Sequence, residues 1–393
     1  MSIAIRDNLS GGISRCNQIT GFTVTVGFAT TGTIKASWTN PTDTKYKGVR
    51  IMYKTGGYPT SPTDGSVFYD SNDATPVSTF TKTGFTDGTA YYLRAFAYTY
   101  KNATRLYTTT TTGAQASGTP VQIKGEQTFT SSGNFTAPAG VNSIDIFLVG
   151  GGGGGSYAGE KLVIGGGGGY TKTVKGVAVT PGASYQVVIG AGGAGGTTTG
   201  AVGGNGGDTT ITINGTTHKA SGGKGGGDYS VANTGNGGSG GGASGPQATQ
   251  TGDPTGGIGG DGGTNGSNGY RTAKTAYDYL VSQNMSTAQY YVATLVEAGK
   301  TYSQGQGSTT RAFGDSAKTL YSGGGGSPSN GDTSNLWVGA GGSGGGGKGA
   351  GYGVASVAGT ANTGGGGGTG STRGSYKNGA NGGSGILIIR WGY

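Results

Sequence analysis

Apolar and polar positions alternate in short runs along the first third of the chain, each run closed by Gly, Pro, Asp or Asn. The runs are Ile19–Phe28, Thr33–Thr39, Gly48–Thr55, Ser66–Asp70, Val77–Thr83, Ala90–Tyr100 and Arg105–Thr111. A period of two, with turn residues every ~8–12 positions, predicts β-strands, and this many strands in about 100 residues predict an immunoglobulin-like sandwich. Within the sixth run Tyr91, Leu93, Ala95 and Ala97 share one face, because side chains alternate along a strand. Trp38 is the largest core candidate, and the exit Thr108–Thr112 reads as an extended, solvent-facing final strand.

Beyond residue 126 the pattern changes. Strand-like blocks recur at Gln127–Phe135, Ser143–Val149, Leu162–Ile164, Tyr170–Val179, Ser184–Ile189, Thr209–His218 and Ile386–Trp391, with an Asn214-Gly215 hairpin signal inside the sixth. Between them lie glycine runs: GAGGAGG at 190–196, GGNGG at 203–207, GGKGGG at 222–227, GGIGGDGG at 256–263 and GGSGGGGKGAG at 341–351. Of 94 glycines, 80 fall in residues 126–393. A disordered linker and a packed array both fit such a composition. Disordered segments lack β-branched and aromatic residues, whereas this region ends on GILIIRWGY, so packing is expected. Runs in threes match the polyproline-II helix, which has three residues per turn and no internal hydrogen bonds. Its backbone groups must bond to neighbouring helices. Collagen is excluded, since there is no strict G-X-Y period and only 10 prolines.

One insert, at about 271–299, has a helical period. Ala273, Ala276, Tyr277, Leu280 and Val281, then Ala288, Tyr291, Val292, Leu295 and Val296, form two apolar stripes. Ser286 with Gln289 makes a capping box, and Gly299 stops the second helix. As a DNA-reading helix-turn-helix the second helix would present Tyr290, Thr294 and Glu297 without a single Arg or Lys. A helical hairpin decorating the glycine-rich region is the reading adopted.

Charge and chemistry change the picture little. The net charge is +9, with 12 Lys/Arg against 6 Asp/Glu in residues 1–125 and 14 against 11 in the remainder. This diffuse excess favours encounter with polyanionic surfaces, but no Lys/Arg block tracks a phosphate backbone, so no nucleic-acid partner is expected. No apolar run nears the ~20 residues of a membrane span, and no secretory signal is visible at the N-terminus. Single Cys16 and His218 leave no thiolate cluster and no His-based centre. The acids Asp145, Glu160, Asp208, Asp228, Asp261 and Asp315 lie beside glycine-rich turns, where they serve backbone hydrogen bonding. Asp228, Asp261 and Asp332 could offer oxygen ligands to Ca²⁺, though no repeat supports such a site. No glycine run continues into GK[ST], so there is no P-loop. Neither a cofactor, a metal nor a catalytic residue is expected.

The segment TIKASWTNPTDTKYKGVRIMYKTGGYPTSPTDGSVFYDS, with TGFTDGTAYYLRAFAY, resembles fibronectin type III domains of phage tail and bacterial surface proteins over about 19–118. The resemblance makes Tyr91, in Phe85-x-x-Gly88-Thr89-x-Tyr91, the tyrosine corner. FTSSGNFTAPAGVNSIDIFLVGGGGGGSYAG, GGGGGYTKTVKGVAVTPGASYQVVIGAGGAGG, GDTTITINGTTHKASGGKGG and GGSGILIIRW resemble the glycine-rich C-terminal domain of phage tail fibre and receptor-binding proteins. They are also similar to the glycine-helix adhesins of T-even-like long tail fibres, from which this chain departs by carrying its own β-sheet frame and a fibronectin-like domain. The implied fold is mainly β: an N-terminal immunoglobulin-like (fibronectin III) β-sandwich, then a glycine-rich β-sheet domain with packed polyglycine-II helices and a small helical hairpin insert. The implied organisation is an attachment segment at 1–18, the sandwich at 19–118, a linker at 119–126 and the glycine-rich domain at 127–393.

The resemblance implies a phage tail-associated receptor-binding protein, without catalysis. Its partners would be a bacterial surface glycan or cell-wall polymer and other tail or baseplate proteins, as a homotrimer or as a monomer on a trimeric tip. It would be made in the host cytoplasm and located in the virion. A purely structural tail or baseplate component is the second reading, and a surface-glycan depolymerase the third. Residues flanked by glycine runs are the expected receptor contacts: Tyr157, Tyr229, Trp337, Tyr352 and Tyr376, with Lys348 and Arg373 for anionic groups. Trp391, in a strand, is expected in the core.

Overall fold

The computed structural model describes residues 14–71, 77–109, 113–157, 163–198, 201–227, 235–242, 310–328, 339–351, 353–371 and 375–393. The helical hairpin expected at 271–299 lies outside the described residues, among which the only helix is a 3-10 turn at Ala312–Gly314. The chain is mainly β, built of antiparallel sheets, and divides into two compact units. The first comprises Met1–Gly125 with Gly140–Asn142 and Trp391–Tyr393; the second comprises Glu126–Ala139 and Ser143–Arg390.

In the first unit the strands are β1 (Thr20–Thr25), β2 (Ile34–Thr39), β3 (Gly48–Lys54), β4 (Ser66–Asp70), β5 (Thr79–Lys82), β6 (Tyr91–Lys101), β7 (Thr104–Tyr107) and β8 (Gln115–Gly118). One sheet has the order β1-β2-β5, and the other β4-β3-β6-β7 with β8 also on β6. Phe22, Ile34, Ala36 and Trp38 from the first sheet share one core with Val49, Ile51, Phe68, Leu93, Ala95 and Ala97 from the second. Trp38 is 4% exposed, and its indole N–H donates to Asn40 Oδ1 at 2.9 Å. The expected solvent-facing exit needs correction. Thr108 is buried and its N–H donates to Ala97 O at 2.8 Å, so the exit begins against β6, whereas Thr109 is exposed. Residues 110–112 of that exit lie outside the described residues.

Tyr91 is the corner its motif predicts, for its hydroxyl accepts the N–H of Thr86 at 3.1 Å. The second unit repeats the device. In Thr180-Pro181-Gly182-Ala183-Ser184-Tyr185 the Tyr185 hydroxyl accepts the N–H of Thr180 at 2.8 Å. Gly88 and Gly182 both adopt left-handed φ, +81° and +80°, which the tight turn requires. Tyr185→Phe is therefore expected to lower the stability of the second unit by about 1 kcal/mol, read from its denaturant midpoint.

In the first unit acid sensitivity resides in the turns. Asp64 accepts from Lys54 Nζ and from the N–H and hydroxyl of Thr60, which lowers its pKa to about 2. Asp43 is held below 3.8 by the N–H groups of Lys45 and Asn17, and Asp87 by the Thr31 hydroxyl and the N–H of Gly32. A carboxyl with a depressed folded pKa binds its proton first in the unfolded chain. Its contribution is therefore complete above about pH 4 and is lost as the pH falls toward 2. Melting temperature against pH should fall through this window, and Asp64→Asn should flatten the curve.

The second unit holds β9 (Gly125–Phe129), β10 (Gly133–Thr136), β11 (Ser143–Val149), β12 (Thr171–Ala178), β13 (Ser184–Val188), β14 (Thr209–Ile213), β15 (Thr216–Ala220) and β16 (Ile386–Trp391). Its sheets have the orders β12-β11-β16-β9 and β10-β13-β14-β15. The block Gln127–Phe135 is thus not one strand, because β9 and β10 join different sheets. Leu162–Ile164 is not a strand either: Val163 and Ile164 are buried and run into a glycine segment, and Leu162 lies outside the described residues. Asn214 and Gly215, at φ 49° and 80°, make the turn between β14 and β15, as two-residue hairpins demand. β11 and β16 contain the continuous apolar runs Ile146–Val149 and Ile386–Ile389 because both of their faces are buried there. Phe147, Val149, Ile386 and Ile388 are covered by Ala312, Phe313 and Tyr321, while Ile146 and Leu148 pair in register with Ile389 and Leu387 on the other face.

Candidate contact surface at the open end of a glycine bundle

Strands continue directly into glycine segments. β11 leads into 150–157, β13 into 190–196 and β15 into 221–227, while 164–170 leads into β12, 201–207 into β14 and 379–385 into β16. In segment 150–157 the N–H groups of Gly150 and Gly153 donate to Tyr170 and Gly167. Those of Gly151, Gly154 and Tyr157 donate to Gly207, Gly204 and Ala201, and those of Gly152 and Gly155 to Gly383 and Ala380, all at 2.8–3.1 Å. Every third donor meets the same neighbour, and the acceptor numbers fall as the donor numbers rise, so these three neighbours run antiparallel. In return, Gly193 and Gly196 donate to Gly152 and Gly155. Gly223 and Gly226 donate to Gly151 and Gly154, and Gly367 and Gly370 to Gly153 and Ser156, at 2.8–3.0 Å. Those three neighbours run parallel. One extended segment with threefold screw geometry is thus bonded to six others.

This arrangement explains the glycine. None of Gly150–Gly155 has a left-handed φ, so backbone freedom is not what selects them. A Cβ at any of the six would stand 2.0–2.1 Å from a neighbour's carbonyl oxygen. Where a segment faces water, side chains appear at every third residue: Ala191 and Ala194; Val202, Asn205 and Asp208; Asn378 and Asn381. At this rim Asn381 accepts the N–H of Gly195 at 2.8 Å and Asn205 that of Gly225 at 3.0 Å, replacing the missing neighbour.

The polarity of the segments sorts the connections. The strands occupy one end of the bundle. Residues 156–157, 163–164, 196–198, 201, 227, 327, 339, 350–351, 353–357, 370–371 and 375–377 lie at the other, as the bonds Tyr157 to Ala201, Ile164 to Gly227, Gly339 to Ser327, Val357 to Lys348 and Gly370 to Ser156 require. The last turns admit small hydroxyl residues, and Ser156, Ser327, Thr369 and Ser371 are all buried there.

Of the expected contact residues, Tyr157, Lys348 and Tyr376 are at this open end. Tyr157 is half-buried, Lys348 is exposed and Tyr376 is 45% exposed. Tyr229, Trp337, Tyr352 and Arg373 lie outside the described residues. Sequence reasoning missed Val202, Val354 and Val357, which are 43%, 40% and 51% exposed at the same end. Their signal was there to read, since each is an isolated apolar residue beside Gly, Ala or Ser in GAVGG and GYGVASVAG. Among the described residues at this end, Lys348 and Lys377 are the charged ones and no Asp or Glu accompanies them.

The acids act as hydrogen-bonding groups. Asp145 pairs with Arg390 at 3.0 Å and accepts the N–H of Gly176; Asp208 pairs with Lys219 at 2.8 Å and accepts that of Gly222. Asp315 accepts the N–H of Ala317 at 3.0 Å. Glu160, Asp228, Asp261 and Asp332 lie outside the described residues. His218, on β15, has its pKa lowered by burial and by the nearby Lys172, while burial pushes the Cys16 thiol up to about 11. Among the described residues no group of His, Cys, Asp and Glu side chains converges to hold a metal ion.

A two-sheet frame whose strands run on into a cross-bonded glycine lattice defines a structural class by itself. A family model described as a glycine-rich domain matches residues 127–392, about two thirds of the chain, and the chain belongs to that family. No curated protein matches it.

Proposed function

We propose that this protein is a phage tail-associated receptor-binding protein that contacts a bacterial surface glycan or cell-wall polymer without catalysis. The observation that carries this reading is the gathering of exposed Val202, Val354, Val357 and Tyr376 at the one end of the bundle that no strand occupies. Isolated apolar side chains need no explanation on a protein surface, but a group of them at one pole marks a contact region. The lattice beneath is cross-bonded along every segment, so its last turns are ordered before any partner arrives, which limits the ordering cost of binding. Several copies on one virion add avidity to a weak contact. The first unit is read as a fibronectin type III-like spacer, on the strength of its strand order and the Tyr91 corner. Other tail proteins are its neighbours in this reading.

The test is adsorption. Labelled protein should decorate cells of the strain that a virion bearing this chain infects, and should reduce infection when added first. Val354→Asp with Val357→Asp should cut adsorption at least about tenfold at unchanged melting temperature, given the cost of setting charge in an apolar contact. Failure of the parent protein to adsorb or to compete would remove the proposal. Release of reducing sugar from the cells would replace it with an enzyme.

A further inference from the structure

The outer face of the five-stranded sheet in the first unit carries more than a solvated face needs. Side chains alternate, so Val49, Ile51, Leu93 and Ala95 face the partner sheet while Arg50, Met52, Arg94, Phe96 and Tyr98 face away. Yet Met52, Phe96 and Tyr98 are 2%, 4% and 0% exposed. They are roofed by cations and rings. Arg94 stands opposite Met52 and lies over the Tyr58 ring at 5.6 Å, and Tyr58 meets Tyr92 edge-on at 5.2 Å. Arg105 lies over Tyr98 at 4.2 Å, with Tyr107 opposite Tyr98 in register.

The charges do not balance. Asp70 is shared by Arg50 and Arg105, and Asp64 is taken by Lys54. Arg94 donates to the neutral Gln115, and the Arg50 side chain, 27% exposed, buries its Nε and reaches the surface with its terminal nitrogens, one of which stands 3.5 Å from Asp70. Among the described residues the face thus presents Arg50, Lys54, Arg94 and Arg105 against two carboxylates, within a stretch, residues 1–125, of 12 Lys/Arg and 6 Asp/Glu. Guanidinium groups not neutralised by a carboxylate of their own match phosphate and carboxylate oxygens geometrically, which an ammonium does not. Tyrosine offers an apolar ring with a polar tip, which suits a sugar whose C–H face is apolar and whose rim is hydroxylated.

We propose that this face binds an anionic glycan, with Arg94 and Arg50 taking its phosphate or carboxylate groups and Tyr92 and Tyr107 bordering its sugar rings. The proposal adds a second contact to the surface-binding reading above, on residues that the open end of the bundle does not include. Full-length protein titrated calorimetrically with phosphomannan, with polygalacturonate and with neutral dextran separates the sources of charge. Saturable binding to at least one anionic polymer is expected, and none to dextran. Arg94→Gln should weaken it about fivefold or more, whereas Lys35→Gln, an equal loss of charge on β2 in the other sheet, should change it less than twofold. Val354→Asp with Val357→Asp should leave it unchanged even where cell adsorption is lost, so the two contacts fail separately. Thermal unfolding of each variant verifies that it is folded. Absence of saturable binding, equal losses for Arg94→Gln and Lys35→Gln, or equal affinity for dextran would overturn the proposal; capture of a tail protein through this face in place of the polymers would assign it to a protein partner.

Discussion

Gly154→Ala should destabilise the second unit by about 4 kcal/mol, through overpacking and broken backbone bonds together. The added methyl would stand 2.0 Å from the carbonyl oxygen of Ala194 and 2.4 Å from its carbon. Backbone cannot rotate out of the way as a side chain can, so segment 190–196 has to move by more than 1 Å, a roughly estimated shift that restores normal packing distance. That segment bonds to Gly152 and Gly155 through the N–H groups of Gly193 and Gly196, and accepts from Gly204 through Ala194 O, all at 2.7–2.9 Å. Shifting it stretches these together and leaves buried amides without partners. The control is Gly133→Ala on β10, where nothing lies within 4 Å of the new methyl and φ is not left-handed. There the loss of unfolded-state freedom should leave stability unchanged or raised by about 0.5 kcal/mol. Scanning calorimetry that resolves the two units would measure both variants. Equal melting temperatures for them would mean that the glycines are not packing against backbone.

Most strands were legible in the sequence because they have two neighbours of fixed chemistry, core and solvent, and alternation records both, while β11 and β16, buried on both faces, showed as apolar runs. Asn214-Gly215, Trp38 and the Tyr91 corner could be read for the same reason, since a local requirement selects a residue type. The lattice was legible only as a period. Gly154 donates to Gly204 and accepts from Gly226, but a glycine carries no side chain that could record its partners, so the polarity of the segments cannot be read from the runs. What does record the lattice is its interruptions: Ala191, Ala194, Asn205, Asn378 and Asn381 mark the faces where a segment lacks one of six neighbours. The cover over β11 and β16 could not be read either. It depends on Phe313 at φ +58°, a left-handed conformation that an aromatic side chain disfavours and that only the surrounding packing enforces. The open end was found through aromatic residues, yet three of its exposed apolar positions are valines, a residue type that reads as strand by default.

Asp145→Ala should cost the second unit about 3 kcal/mol, and Arg390→Ala less, about 2 kcal/mol. The pair stands directly opposite in register, Asp145 on β11 and Arg390 on β16, with both side chains under one fifth exposed. Arg390 brings Nε and Nη2 to one carboxylate oxygen at 3.2 and 3.0 Å, and the other oxygen accepts the N–H of Gly176 at 2.9 Å. That N–H belongs to β12 beside an irregularity in its register with β11, where Gly176 takes φ +67°. One carboxylate therefore ties three adjacent strands and satisfies an amide that the ladder leaves out. Removing it takes the acceptor from the amide and the counter-charge from the guanidinium. Removing Arg390 strands only the carboxylate, which keeps its amide donor and has some access to water, although the guanidinium's stacking over Phe313 at 4.0 Å is lost as well. Asp145→Asn discriminates the two roles: it keeps an acceptor for Gly176 while deleting the charge, so it should fall between the parent and Asp145→Ala in denaturant midpoint. If Asp145→Asn is as damaging as Asp145→Ala, the ion pair with Arg390 carries the effect and the amide contributes little.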